Sequence, residues 1–316
     1  MVSLNKPSAG NTDWTTLIND NWTTIENSLD QSICQGRLTL TSGTAITTSD
    51  VTAATTLYFT PYQGNRIAVY DGTTWKIYSL TEKSLSLSGL AANTNFDIFI
   101  YDNAGTLTLE ALAWTNGTTR ATALASQDGI YVKSGATTRR YLGTIRTTGT
   151  IGQCEDSAAK RFLWNAYNRV PRALSITDTT NSWTYTTATW RSANSSTANR
   201  VEMVIGLSEN PVSARTVALV SNSGAAVLIS VASGIGIDST SVNSATVMGT
   251  QVAVVESATG NFGTGTQAHS VYRGYPGIGY HYLQWLEISE ATGTTTWYGD
   301  NNLTYIQSGL TAEVMG

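Results

Sequence analysis

Between residues 36 and 148, short apolar runs and turn signals follow one another closely enough to dictate antiparallel β-structure. Thr56–Thr60 (TLYFT) comes first, and then Arg66–Tyr70 (RIAVY) and Trp75–Leu80 (WKIYSL) flank Asp71-Gly72. Asp-Gly between alternating runs is a strong hairpin signal, because both residues accept the positive φ that a tight turn requires. Phe96–Tyr101 (FDIFIY) and Thr106–Leu112 (TLTLEAL) flank Asp102-Asn103-Ala104-Gly105 in the same way. Ile130–Lys133 (IYVK) and Arg140–Arg146 (RYLGTIR) flank Ser134-Gly135-Ala136. Hairpins at this interval predict a small antiparallel β-domain, a sandwich or a barrel.

The pattern resumes after Pro171 with Trp183–Thr187, Arg200–Leu207, Thr216–Ser221, Ala225–Val231, Gln251–Glu256 and Gly279–Ser289. Runs such as VEMVIGL and AAVLISVA are apolar on both faces, which predicts strands covered on both sides, in a tight sandwich or at a subunit contact. We read a C-terminal jelly-roll-like β-sandwich. No fixed period recurs, so neither a solenoid nor a propeller is expected. Composition agrees: 51 Thr outnumber the 18 Lys and Arg and 22 Asp and Glu together, as suits extended, half-buried strands.

Two stretches read as helix instead. From Thr12 to Ile33, Trp14, Leu17, Ile18, Trp22, Ile25 and Leu29 recur at three- and four-residue steps, with Asn11, Thr12 or Asp13 as the cap. The opposite face is polar, so this amphipathic stripe must be buried against its own β-domain, a larger protein or copies of itself. The second stretch, Asp156 to Val170, places Ala159, Phe162, Leu163, Ala166 and Val170 on one face. Asp156 or Ser157 would cap it and Pro171 would stop it. The resulting organisation is an N-terminal helical anchor (1–35), an antiparallel β-domain (36–148), a short junction helix (149–171) and the C-terminal sandwich (172–316).

Charge excludes one large class of partner. The net charge is −4, and no basic stripe exists to neutralise a phosphate backbone, so nucleic acid is not expected to bind. No apolar run reaches about 18 residues, so no membrane insertion is expected. The opening MVSLNKPSAGNTDW has no apolar core behind Lys6 and does not read as a signal peptide. Cys34 and Cys154 fit no zinc site; they read as two buried free thiols, with a bridge between them as the alternative.

Candidate chemistry is sparse. His281 alternates with Leu283 and Trp285 and reads as a core or interface histidine hydrogen-bonded to a neighbour; His269 falls in a Gly- and Thr-rich stretch that reads as a loop. Gly234-Ile235-Gly236 lacks the third glycine and the following helix of a dinucleotide motif and reads as a bulge or turn. Glu155 with Asp156, Glu287 with Glu290, and Asp300 are the carboxylates that glycan hydrolysis would need. Glu155 and Asp156 also suit a helix N-terminus, and Glu287 a pair within a sheet. Asp71, Asp102 and Asp300 sit in turns whose oxygens resemble calcium ligands, although turn chemistry alone explains them. No catalytic residue, metal or cofactor is assigned. Aromatic residues cluster at Trp183, Tyr185 and Trp190, from Tyr272 to Trp285, and at Trp297 and Tyr298. Tyr272, Tyr275, Asp300, Asn301 and Asn302 are the candidate surface contacts.

Three segments, EDSAAKRFLWNAYNRVPR, NSWTYTTATWRSANSSTANRVEMVIG and GYHYLQWLEISEATGTTTWYGDN, resemble structural proteins of tailed bacteriophages, especially phages of aquatic bacteria. The block from TTLYFTPYQGNRIAVYDGTTWKIYSL to DGIYVKSGATTRRYLGTIRT is similar to modules of tail-fibre and other virion proteins, and TDWTTLINDNWTTIENSL resembles their N-terminal attachment helix. The resemblance implies a non-enzymatic virion component assembled in the host cytoplasm. It implies a homotrimer docked by its N-terminus on a capsid, tail or fibre-docking protein, with an outward β-domain facing a host glycan or protein. A capsid decoration or a tail connector or baseplate protein is the structural alternative, and a glycan depolymerase the remote one.

Overall fold

The structure, a computed structural model, describes residues 13–29, 31–223, 229–249, 251–254 and 266–316. The described residues are mainly β, with one α-helix, and the chain divides into two compact units. Unit 1 comprises Met1–Thr48, Ala53–Cys154 and Asn165–Asn168; unit 2 comprises Ser49–Thr52, Glu155–Trp164 and Arg169–Gly316. Among the described residues no helix is long and apolar enough to cross a membrane.

Unit 1 opens with α1 (Trp14–Leu29). Asp13 caps it, its Oδ1 accepting the Thr16 amide at 3.2 Å. The other capping candidates, Asn11 and Thr12, lie outside the described residues. The strands follow as β1 (Gly36–Thr39), β2 (Val51–Ala54), β3 (Thr56–Pro61), β4 (Arg66–Tyr70), β5 (Trp75–Ser79) and β6 (Lys83–Ser86). Then come β7 (Asn95–Asn103), β8 (Thr106–Ala113), β9 (Leu124–Gln127), β10 (Ile130–Lys133) and β11 (Ala136–Arg146). All but β2 form antiparallel sheets in the orders β1-β3-β6, β4-β5 and β8-β7-β11-β10-β9.

All three expected hairpins are present: β4–β5, β7–β8 and β10–β11. In the second, Ala104 and Gly105 turn with φ of 49° and 90°, the left-handed pair of a two-residue loop. A fourth, β9–β10, turns at Asp128-Gly129 with φ of 53° and 85°. Its Asp-Gly signal was in the sequence, but LASQ on its first arm is too polar to read as a strand.

β11 organises the unit. Residues 140–146 are all buried, and the register against β7 shifts between Tyr141 and Gly143, a β-bulge that leaves Leu142 unpaired there. The Leu142 carbonyl instead accepts the Ala166 amide at 2.9 Å. Arg140 is fully buried. Its guanidinium donates to the carbonyls of Gln31 (3.0 Å), Ser32 (3.2 Å), Ile33 (2.9 Å) and Ala68 (2.7 Å). The rings of Trp75 and Tyr167 lie 5.7 and 4.7 Å from it. Arg140 therefore clamps the chain segment that leaves α1.

The junction helix expected over 149–171 is not formed. The segment folds as three short strands, β12 (Cys154–Asp156), β13 (Lys160–Arg161) and β14 (Leu163–Asn165). Asp156 pairs with Arg161, and Ser157 and Lys160 exchange backbone hydrogen bonds of 2.7 and 3.2 Å, closing a hairpin over Ala158-Ala159. The three-and-four spacing of Phe162, Leu163, Ala166 and Val170 coincides with a helix face, but Trp164 on the opposite face is buried as well. Phe162, Leu163 and Trp164 are consecutive core residues, which an amphipathic helix cannot provide and a strand covered on both faces can. Ala166 and Val170 are half-buried. Neither Asp156 nor Ser157 caps a helix: Asp156 binds Arg161 at 2.9 Å and Arg172 at 2.7 Å.

Unit 2 continues with β15 (Pro171–Thr177), β16 (Ser182–Thr184), β17 (Arg191–Ser192), β18 (Arg200–Ile205) and β19 (Val212–Asn222). Next are β20 (Ile229–Ile237), β21 (Met248–Gly249), β22 (Val252–Val254), β23 (Thr266–Gly274), β24 (Gly279–Ser289), β25 (Thr295–Tyr298) and β26 (Gly309–Met315). One sheet runs β2-β12-β13-β18-β24-β20-β22 and another β15-β26-β19-β23-β21, with β25 also on β19. A single core draws on both sheets: Val201, Met203, Ile235 and Trp285 from the first, Val212, Val220, Tyr272 and Leu310 from the second. Buried hydroxyls cross it. Thr216 Oγ1 lies 2.8 Å from Ser233 Oγ and 2.7 Å from Ser270 Oγ, and the Trp285 indole donates to Ser233 at 3.0 Å. Every member finds a partner, as a buried polar group must.

Several expectations need adjustment. The strand expected over Ala225–Val231 is described only from Ile229, and it runs on to Ile237. Gly234-Ile235-Gly236 is therefore strand interior, not a turn. A Cβ on Gly236 would sit 2.1 Å from the Ser239 carbonyl oxygen, so close backbone approach requires the glycine. His269 lies within β23, paired with Val217, rather than in a loop. Residues 225–228 and 255–256 of the expected strands, and 260–265 of the Gly- and Thr-rich stretch before His269, lie outside the described residues. Cys34 and Cys154 are both buried and form no disulfide.

Candidate functional site

On α1, Trp14, Ile18 and Trp22 are 54%, 47% and 60% exposed and recur at i, i+4 and i+8, so they form one row spanning roughly 12 Å of helix. Leu17 and Ile25 are half-buried, and the Leu29 side chain lies outside the described residues. Large aromatic side chains in an exposed row are the kind of surface that marks an interaction site.

The expected carboxylates are each already engaged in hydrogen bonds. Glu155 accepts Lys160 Nζ at 3.1 Å and Ser157 Oγ at 2.8 Å. Glu290 accepts the Ser230 amide at 2.7 Å. It lines a cleft of about 340 Å³ with Ser230, Ile288 and Ser289 but has no acidic partner there. The oxygens of Asp71, Asp102 and Asp300 accept amides of their own turns: Thr73 and Thr74, Gly105, and Asn302. Among the described residues, no group of three His, Cys, Asp or Glu comes together to hold a metal.

Glu287 is a buried carboxylate with a raised pKa. It is fully buried on β24, and its Oε2 accepts the Trp183 indole at 2.7 Å. Its Oε1 accepts Arg191 at 2.8 Å and the Asn194 amide at 3.2 Å. Trp183 packs edge-on to Trp285, and Arg191 lies 3.7 Å over the Tyr185 ring. Trp183, Tyr185 and Trp285 are thus brought together beside a carboxylate whose two oxygens both accept hydrogen bonds. Asn194 and Ser195 both take φ of 54°, held by the Asp178 carboxylate, which accepts Asn194 Nδ2 at 3.0 Å and Asn199 Nδ2 at 2.6 Å.

Burial pushes Glu287 from 4.5 up to about 7, against the opposing pull of Trp183, Arg191 and the Asn194 amide. A raised acid pKa means the folded state holds this proton more tightly than the unfolded chain does. Its contribution to stability is complete below about pH 4.5 and is lost as pH rises through 7. We expect the unfolding free energy of unit 2 to drop by on the order of 2 kcal/mol between pH 5 and 8. Glu287→Gln should flatten that slope. Denaturant titrations of both proteins at each pH check this, and parallel slopes would refute it.

His281 Nδ1 lies 2.8 Å from Asp238 Oδ2, while Asp238 Oδ1 accepts the Tyr282 amide at 2.9 Å. The histidine is buried and bonded to a neighbour, as expected. A catalytic Asp–His pair also needs a nucleophile within hydrogen-bond reach of the other ring nitrogen. Nε2 has no such neighbour among the described residues.

The proposed contact residues separate. Tyr272 is only 4% exposed and belongs to the core, because the inward side of β23 carries Ala268, Ser270 and Tyr272; it is not a surface contact. Tyr275, just past the end of that strand, is 60% exposed. Asn301 and Asn302 are exposed and take φ of 52° and 55° in the loop from Gly299 to Ser308, and Asp300 is half-buried beside them. The same loop carries Tyr305, at 80% the most exposed large apolar side chain among the described residues. The sequence reading missed it, since Tyr305 stands outside the aromatic clusters; the Asn-Asn turn just before it was the available signal.

No family model matches the chain, and no curated protein does. Among solved structures it is similar to two insecticidal proteins of Bacillus thuringiensis. The mosquito-larvicidal Cry4Aa toxin shares 10% identity at a TM-score of 0.24, covering 83% of this chain and 49% of that one. The insecticidal crystal protein Cry7Ca1 shares 11% at 0.19, covering 89% and 51%. The chain thus spans about half the length of these toxins, and the low TM-scores leave the likeness without weight for fold or function.

Proposed function

We propose that the chain is a structural protein of a tailed-phage virion. In this reading it is a fibre or appendage component docked through α1, with its β-units turned outward for attachment to the host surface. The observation that carries the reading is the exposed row of Trp14, Ile18 and Trp22, an apolar face that requires a protein partner. The resemblance of the α1 segment to phage attachment helices supplies the kind of partner. Unit 2 is taken as a jelly-roll-like sandwich and the assembly as a homotrimer, in which several equal copies at one end add avidity to weak contacts. The role is taken as non-enzymatic, a reading supported by the cationic partners that hold Glu155, Asp156 and Glu287.

Replacing Trp14, Ile18 and Trp22 together with Ser is expected to abolish incorporation into particles while leaving the β-sheets folded. Particle composition and circular dichroism measure the two effects, and normal copy number would refute the anchor. Solution light scattering should return three times the 33.7 kDa chain mass. A monomer would move the reading to a capsid decoration or connector subunit that oligomerises on the particle. Release of reducing ends from host polysaccharide would instead establish a depolymerase.

A further inference from the structure

The outer face of the β15-β26-β19-β23-β21 sheet carries a cleft that none of the roles above uses. Along β19 the side chains alternate: Ala218 and Val220 enter the core, so Val217 and Leu219 face outward and remain half-buried. β19 also changes partners here, from β26 at Val217 to β25 at Leu219. The loop from Gly299 to Ser308 fills the change-over. Ser308 fixes its end, with Oγ accepting the Leu219 amide at 3.1 Å and its own amide donating to the Gly299 carbonyl at 3.0 Å. A cleft of about 160 Å³ results, floored by Val217 and Leu219 and walled by Gln267, Tyr305, Ile306 and Gln307.

The chemistry of this lining narrows what fits. No lining side chain is charged, so the cleft offers nothing specific to a phosphate, a sulfate or a charged peptide. Its volume lies below the 300 Å³ or so typical of sites for drug-sized ligands, which suits one small ring rather than a large apolar molecule. The amides of Gln267 and Gln307 are exposed and make no hydrogen bond among the described residues, leaving donors and acceptors at the rim. Tyr305 presents a ring face and a hydroxyl to solvent. An apolar floor, a free aromatic ring and unoccupied primary amides match a ring with one C–H face and an edge of hydroxyls. We propose that this cleft binds a single uncharged sugar unit of a glycan, with Tyr305 stacking on its C–H face and Gln267 and Gln307 bonding its hydroxyls.

This deepens the host-attachment reading and rests on it for its biological use. The test titrates the full chain by ligand-observed NMR with glucose, galactose, mannose, N-acetylglucosamine and their disaccharides. Wild-type, Tyr305→Ala, Gln267→Ala and Gln307→Ala proteins are compared, and adsorption of labelled protein to host cells is measured in parallel. Tyr305 and the two glutamines are exposed, so the variants should keep the wild-type melting temperature. The expected result is saturable binding of at least one sugar, weakened at least tenfold by Tyr305→Ala and severalfold by each glutamine variant. Sugar binding that Tyr305→Ala leaves intact would overturn the site, as would silence of the whole panel. Adsorption retained alongside either result would leave the attachment reading standing without this cleft. Loss of adsorption by the wild-type chain would remove the attachment reading, while sugar binding abolished by Tyr305→Ala would still establish the cleft.

Discussion

Arg140→Ala is expected to lower the stability of unit 1 by about 3–5 kcal/mol, because removing one member of a buried charged network leaves its partners unsatisfied. The guanidinium lies in the interior with four backbone carbonyls as acceptors, three of them on consecutive residues, Gln31, Ser32 and Ile33. Each carbonyl stripped of its donor costs about 1–3 kcal/mol unless water reaches it. Arg140→Lys should recover less than half of the loss: an ammonium has three donors around one point, and the guanidinium fork spreads five in a plane. Hydrogen exchange on the amides of β4, β7 and β11 isolates the effect to this unit. A loss below about 1 kcal/mol would mean that water replaces the guanidinium, and the clamp would be dispensable.

Phe162→Ala is expected to cost unit 2 about 3–5 kcal/mol, the range for truncating a core phenylalanine. The ring packs edge-on to Tyr280 at 6.1 Å, with Lys160 Nζ 5.9 Å from it. It is also the first of three consecutive buried side chains, so the cavity would have covered walls on both faces and little freedom to collapse. Phe162→Leu, which keeps most of the volume, should cost less than half as much. Urea melts of the three proteins settle the comparison; a cost under about 1 kcal/mol for the alanine variant would place the ring at the surface.

The parts of this fold that could be read from the sequence are those fixed by neighbouring residues. Gly72 and Gly105 mark their hairpins because both take positive φ, 105° and 90°, a local requirement that glycine meets most easily. Gly279–Ser289 could be read as one strand because its length and apolar content leave no other element. The segment from Asp156 to Val170 was misread because periodicity counts only the residues that fit. Phe162, Leu163, Ala166 and Val170 fit a helix, and only burial of Trp164 shows that both faces are covered. Assigning Tyr272 to the surface failed for a related reason. Tyr272 and Tyr275 stand three apart in one aromatic stretch, and strand pairing that brings β23 against β19 decides which of them is enclosed. The Arg140 clamp was beyond sequence reasoning, since its acceptors are backbone carbonyls, which carry no residue signature. Of the candidate site, the α1 row was visible in full, while Tyr305 was hidden by its isolation from other aromatic residues.

The two cysteines have a consequence for where this protein can remain intact. Both are enclosed and outside any disulfide, and burial raises the Cys34 thiol to about 11. At neutral pH it is almost wholly protonated, and the thiolate is the form that attacks disulfides and takes up oxidants. Folding therefore waits on no oxidative step, and no reductant can undo it. Moved from a glutathione-buffered solution to aerated water, the chain would keep its covalent structure unchanged.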